Sequence, residues 1–205
     1  MNRASKSLEY FWVIGLLSIL LVVWTLIHIY FFGTEEESIR ILIRWTAKIA
    51  ATLFAFAFAA SSLHYFFPRT TTAKLLKFRP HLGLAFATFH TFHLFFLIWL
   101  QQEIHPVFSL AKTSSLLGGS LAYLLMYGMV LTTFPGIRKR LNPRSWKLLH
   151  VIGGYWIWFI FFRSYFRNVI TKDQYYVLFT LFAAVLILRF LKILSQRRGL
   201  LPSNT

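Results

Sequence analysis

Two histidines lie three residues apart in a strongly apolar segment, FATFHTFHLFF, which covers residues 86–96. Imidazole is a common metal ligand and also forms hydrogen bonds, so His90 and His93 are candidates for either role. On a helix the two rings would share one face but differ in height by about one turn. They cannot hold opposite sides of one flat macrocycle, so at most one of them binds a given haem iron.

A third histidine, His150, occurs in another apolar segment, SWKLLHVIGGYWIWFIFF, and is followed by Gly153 and Gly154. Imidazoles from two different helices are what a b-type haem needs in a helical bundle. The glycines would let a backbone or a bulky flat ligand approach closely. A simpler interpretation stays open for both features, because membrane histidines often form hydrogen bonds between helices and small residues often serve helix packing.

The composition indicates the environment in which these residues lie. Hydrophobic residues make up 57% of the 205 residues, 23 of them are Phe, and the mean hydropathy is +0.60. These values are typical of a membrane protein. The net charge of +16 then fits cytoplasmic loops rather than a nucleic-acid partner. The chain has no Cys, which excludes disulfides and thiolate metal sites and leaves histidine for metal chemistry.

The positions of the apolar stretches predict an all-α, integral membrane six-helix bundle that forms a single transmembrane domain over residues 1–205. A spanning helix needs ~20 residues, and such stretches occur at 10–32, 47–67, 82–100, 116–134, 146–166 and 175–194. Of the 22 Lys and Arg residues, 15 fall on the side that holds both termini. That excess predicts cytoplasmic termini, and we expect a multi-pass protein of the bacterial cytoplasmic (inner) membrane.

Three segments resemble the ferric-reductase-like transmembrane domain. They are RWTAKIAATLFAFAFAA at 44–60, RPHLGLAFATFHTFHL at 79–94, and WKLLH at 146–150. That family includes the haem-binding membrane subunit of the methionine sulfoxide reductase system and the membrane core of NADPH oxidases. The resemblance covers about 44–166 and implies a six-helix bundle that holds haem b and passes electrons across the membrane.

The resemblance also implies site positions, because two-haem members carry paired histidines on the third and fifth spans. His93 matches the outer position of the third span, and His150 matches the inner position of the fifth. Arg79 and Arg163 stand at the two remaining positions. The preferred axial ligands are therefore His93 and His150, with His90 and His81 as alternates.

Depth arithmetic leaves the pairing open. At 1.5 Å per residue, His93 and His150 differ in height by ~14 Å if both spans start at one level, whereas His81 matches His150 better. Either the spans tilt or shift, or His81 and His150 bind an inner haem, or the site is degraded. Arg79 and Arg163 could pair with haem propionates; otherwise they are anchors whose charged ends reach the interface.

The function implied by the resemblance is that of a haem b electron-transfer subunit in an oxidoreductase system. The sequence has no Gly-rich nucleotide-binding fingerprint. Electrons would then come from quinol or from a separate flavoprotein reductase. The additional cofactor would be a quinone, or a flavin held by that partner. The electrons would pass to a soluble acceptor subunit or to another acceptor. The lipid bilayer is an expected partner, and nucleic acid is not. The alternatives are haem-free transport through a histidine-lined path and a structural or assembly role in the same fold.

Overall fold

The computed structural model describes the backbone of residues 3–104 and 110–198, and this part of the chain is almost entirely helical, with short turns between the helices. Side chains are described for residues 5–103 and 117–198, so His105 and the C-terminal residues 199–205 lie outside the described residues. The prediction of an all-α fold is confirmed. The helices are α1 (Arg3–Phe32), α2 (Glu36–Phe66), α3 (Thr70–Ile104), α4 (Leu110–Leu131), the short α5 (Pro135–Arg138), α6 (Pro143–Val169) and α7 (Tyr176–Arg197), with a 3-10 turn at Asp173–Tyr175.

Four helical segments are long and apolar enough to cross a membrane, and they support a multi-pass membrane protein. They are Ser5–Phe32, Glu36–Phe66, Thr70–Glu103 and Asp173–Arg197. A shorter apolar helix covers Leu117–Leu131. The remaining long helix, α6, has 27 residues. Its apolar sequence is interrupted by polar or small residues, namely His150, Gly153, Gly154 and Arg163. Each of the six predicted stretches thus overlaps one long helix, although the fourth extends past the end of α4 into a turn at 132–134. Four of those helices meet the length and hydropathy of a membrane span.

Several helices extend well beyond the apolar stretches that predicted them. The predicted second span started at residue 47, but α2 begins at Glu36 because its first turns bury Ile39 and Leu42 against α3. Two exposed ion pairs add little to this, Arg40–Glu36 at 2.6 Å and Arg44–Glu37 at 2.9 Å. Likewise, α3 begins at Thr70 and continues through Pro80. Heights counted from the start of an apolar stretch are therefore uncertain by several turns of helix.

Helix α2 lies at the centre of the bundle. It packs along α3 and also contacts α7, α6 and α1, while α4 packs on α6 and α1 packs on α3. Its buried face carries many small side chains, which allow helix axes to approach closely. These are Ala50, Ala51, Ala55, Ala57, Ala59 and Ala60.

The main core is aromatic. Phe54 of α2 lies at its centre, with ring centroids 5.3 Å from Phe58, 5.2 Å from Phe86 and 5.8 Å from Phe161. A smaller core cluster, formed by Ile39, Leu42, Phe96 and Leu100, joins the start of α2 to the end of α3. The two clusters fix α3 against α2 at two heights, and this fixes which α3 side chains face the interior.

Candidate functional site

A large cavity opens between the helices beside the aromatic core, and we call it the basic cavity. Its volume is about 750 Å³, within the range of cofactor and small-molecule pockets. Residues of α1, α2, α3, α4, α6 and α7 line it, together with Arg138 of α5. Most of the wall is apolar, and its larger side chains are Phe54, Phe58, Leu84, Phe86, Met126, Met129, Val130 and Trp146.

Four cationic side chains line the basic cavity, namely Arg79, Arg138, Lys147 and Arg189, and none of the described residues that line it is Asp or Glu. The Arg138 guanidinium lies 3.5 Å from the centre of the Trp146 ring. The Arg189 guanidinium donates to the Phe58 carbonyl at 2.7 Å and lies 3.9 Å over the Phe58 ring. Rings and carbonyls compensate these charges only in part. The cavity is therefore suited to an apolar ligand that carries negative charge.

His150 lines the basic cavity, and its ring is held by two neighbours. The Trp146 ring centroid lies 4.3 Å from it, and Nε2 lies 3.2 Å from Thr132 Oγ1. Because the Thr132 hydroxyl donates to the Gly128 carbonyl at 2.8 Å, its oxygen accepts from the Nε2–H of His150. In this tautomer the lone pair is on Nδ1. Binding a metal through Nε2 would require the imidazole to leave Thr132.

The two glycines after His150 lie at close contacts between helices. A Cβ on Gly153 would lie 3.0 Å from Met129 Sδ, and one on Gly154 would lie 3.2 Å from Phe58 Cε2. Gly154 also lines the basic cavity. Gly153 thus serves helix packing, because it lets α6 approach α4 closely. Gly154 both packs against Phe58 and borders the cavity, where its lack of a side chain leaves room for a ligand.

His90 and His93 lie elsewhere, in a second buried region that we call the histidine stack, formed by His90, His93 and Tyr123. The His90 ring stacks on His93 at 5.2 Å and on Tyr123 at 4.7 Å. His93 Nδ1 is 3.1 Å from the Ile43 carbonyl of α2. A carbonyl only accepts, so Nδ1 carries the proton and Nε2 carries the lone pair. His90 Nδ1 is buried with no hydrogen-bond partner. Neither histidine lines the basic cavity.

The remaining predicted site residues are divided between the cavity and other surroundings. Arg79 lines the basic cavity with His150. His81 does not, and its Nε2 lies 2.8 Å from Glu9 Oε1 on α1. Arg163 is exposed on α6. The structure thus brings together Arg79 and His150, the two residues that the resemblance put at the inner positions, and brings neither His93 nor His81 to the same cavity wall.

Sequence reasoning missed several residues of the cavity wall. Arg138 and Arg189 entered only the count of basic residues, and Tyr10, Phe58 and Thr132 received no role. For Arg189 a signal was present, because LILRFLKIL places a charge inside an apolar helix, which indicates a functional position by default. For Arg138 and Thr132 there was no comparable signal, since both lie near the link between α4 and α6.

Comparison with known proteins adds no family to this description: no protein-family model matches the chain, and no curated protein matches it. Within the described residues, no group of three or more His, Asp or Glu side chains is placed to hold a bare metal ion. A haem requires only one or two axial side chains from the protein, because the porphyrin supplies the other ligands.

Proposed function

We propose that this chain is a haem b-binding membrane electron-transfer subunit of the ferric-reductase-like type. The observation that carries the proposal is the basic cavity, in which one imidazole and several cations surround an apolar space of about 750 Å³. The sequence resemblance supports it independently, since two of the positions that it implied, Arg79 and His150, line that space.

The residues of the basic cavity fit a haem. The aromatic and aliphatic wall suits the apolar face of a porphyrin, and His150 would hold the iron. Arg79, Arg138 and Lys147 would pair with the propionates, because guanidinium and ammonium groups bind carboxylates by charge-assisted hydrogen bonds. When bound, the haem supplies one-electron oxidation and reduction, and the protein sets its position and electrostatic surroundings.

The role of His93 stays a prediction. A metal-bound imidazole usually donates its other N–H to a carbonyl or carboxylate, which orients the ring. His93 has this arrangement through the Ile43 carbonyl at 3.1 Å. Its tautomer is therefore the one that would bind a metal through the lone pair on Nε2. Since the ring does not line the basic cavity, the proposal assigns the cavity to His150 and treats His93, with His90 beside it, as a separate candidate.

The proposed topology has six spans with both termini in the cytoplasm, supported by six helices of at least 22 residues and by the excess of Lys and Arg on one side. Electrons would enter from quinol or a separate flavoprotein and leave to a partner or acceptor. A reporter fused after residue 205 that was active only outside the cytoplasm would contradict this orientation.

One observation favours the alternative of a haem-free transport, structural or assembly protein with the same fold. One nitrogen of each of two candidate imidazoles already has a protein partner: His150 Nε2 contacts Thr132 and His81 Nε2 contacts Glu9. Contacts of this kind between helices are what helix packing alone would produce. The basic cavity would then hold another apolar anion.

Haem content separates the two functions. We expect wild-type protein, purified after expression with haem supplementation, to carry haem by the pyridine haemochrome assay, and we expect His150→Ala to lose most of it, since an apolar cavity offers no ready replacement for the ligand. His81→Ala is the matched control, because that histidine lies on α3 but outside the cavity wall. Wild-type protein that stays colourless while a known b-type cytochrome is loaded in the same cells would overturn the proposal.

A further inference from the structure

A second, smaller cavity lies between α2, α6 and α7, and we call it the phosphate notch. Its volume is about 160 Å³, roughly five times the ~30 Å³ that one water occupies in the liquid. Its wall includes Ser61, Ser62, Tyr155, Arg189 and Lys192. Two cations, two serines and a tyrosine therefore border a space that suits one small polar group.

The two cations of the notch lack acidic partners. Lys192 Nζ donates to the Ser61 carbonyl at 3.1 Å, and Arg189 Nε donates to the Tyr155 hydroxyl at 3.3 Å. None of the ion pairs in the described part of the chain includes either residue. Both side chains keep further N–H donors beyond these bonds. An anion that accepts from both would complete their hydrogen bonding and offset the cost of desolvating two like charges.

The surroundings of the notch favour an amphiphile. Ile193 lines the notch and is partly exposed. On the same helix, α7, other large apolar side chains are also exposed, namely Ile187, Phe190 and Leu191. An acyl chain could lie along these side chains while its phosphate occupies the notch. The notch also lies near the end of α7 that carries Arg197 and Arg198, on the predicted cytoplasmic side, where basic pockets between helices bind anionic head groups.

We propose that the phosphate notch binds a phosphate group through Arg189 and Lys192, and that this group is the head of an anionic phospholipid. The site is distinct from the basic cavity, although Arg189 lines both cavities. Lys192 lines only the notch, so a change there tests this site without changing the wall around His150.

The test is native mass spectrometry of the full-length protein, delipidated in detergent and mixed with phosphatidylglycerol or with phosphatidylcholine of the same acyl chains. We expect the wild type to retain phosphatidylglycerol about fivefold more than phosphatidylcholine, and Lys192→Gln to remove that preference, as for the loss of one cation beside an anionic head group. Lys192→Arg should keep the preference, because it preserves the charge. Lys74→Gln, at an exposed lysine of α3, should leave it unchanged.

Two results would overturn the proposal: equal retention of both lipids by the wild type, or an undiminished preference in Lys192→Gln. A third arm distinguishes the source of the phosphate. If inorganic phosphate raises the melting temperature of the lipid-free wild type but not of Lys192→Gln, and phosphatidylglycerol is not preferred, the notch takes free phosphate and the lipid assignment falls. Haem content should be the same in wild type and Lys192→Gln, which keeps this test separate from that of the electron-transfer proposal.

Discussion

The basic cavity and the histidine stack place imidazoles in different surroundings on neighbouring helices. In the cavity, His150 faces an open apolar space of about 750 Å³ with Arg79 and other cations. In the stack, the His90 ring contacts rings on both sides, His93 at 5.2 Å and Tyr123 at 4.7 Å. The histidine pair of α3 is thus packed between aromatic rings, including that of Tyr123 on α4. The single histidine of α6, His150, lies beside the basic cavity. Among these histidines, His150 is therefore the stronger ligand candidate, because the packing leaves open space beside its ring.

The largest expected effect comes from changing one histidine in each region. We expect His150→Ala to lower haem per chain about tenfold or more, and His93→Ala to keep at least about half of it, because ligand loss costs far more than a distant packing change. Pyridine haemochrome content of both variants, prepared in parallel with wild type, is the measurement. An equal loss in both variants would contradict the separation and support the sequence-based pairing of His93 with His150.

The volume of the cavity can be tested without changing a polar group. Gly154→Leu should lower haem content several-fold, because its Cβ would lie 3.2 Å from Phe58 Cε2 and the longer side chain must take cavity space or displace that ring. Gly119→Leu is the matched control, since nothing lies within 4 Å of a Cβ built there. The variants are compared by haemochrome content and by circular dichroism, which checks that the helices remain. Full haem content in Gly154→Leu would mean that the cofactor lies elsewhere.

The charge of the cavity should tune a bound haem rather than decide whether it binds. Arg79→Gln removes one cation from the wall, so we expect the midpoint potential to fall by roughly 40 mV, about 1 kcal/mol for one electron. Arg163→Gln, at the exposed position of α6, should shift it much less. A spectroelectrochemical titration measures both. Equal shifts for Arg79 and Arg163 would place the haem away from the basic cavity.

The smallest effect is expected in the histidine stack. His90→Ala removes ring contacts with Phe86, His93 and Tyr123, and we expect a loss of about 1 kcal/mol in stability with haem retained. A lowered melting temperature in detergent, with an unchanged haemochrome value, is the expected result. Loss of haem from His90→Ala alone would make the stack, and not the cavity, the cofactor site.

Much of the helical fold could be predicted from local patterns, and the site only in part. Each of the six apolar stretches corresponds to one long helix, because hydropathy over ~20 residues is a property of contiguous sequence. The resemblance identified two residues of the cavity wall, His150 in the WKLLH segment and Arg79 at the start of the third apolar segment. The partner of His81 could not be predicted, because Glu9 lies 72 residues earlier, on another helix.

The sequence by itself determined the apolar helices, the basic excess, the absence of Cys and the set of histidines available for chemistry. Only the tertiary structure decided which of those histidines lies beside open space and which cations join it. The physical reason is that helix formation depends on residues a few positions apart, whereas the rotation and height of each helix depend on contacts between distant segments. The close approach at Gly153 and Gly154, the ring packing around Phe54 and the bond from Arg189 to the Phe58 carbonyl are such contacts, and together they set the walls of the basic cavity.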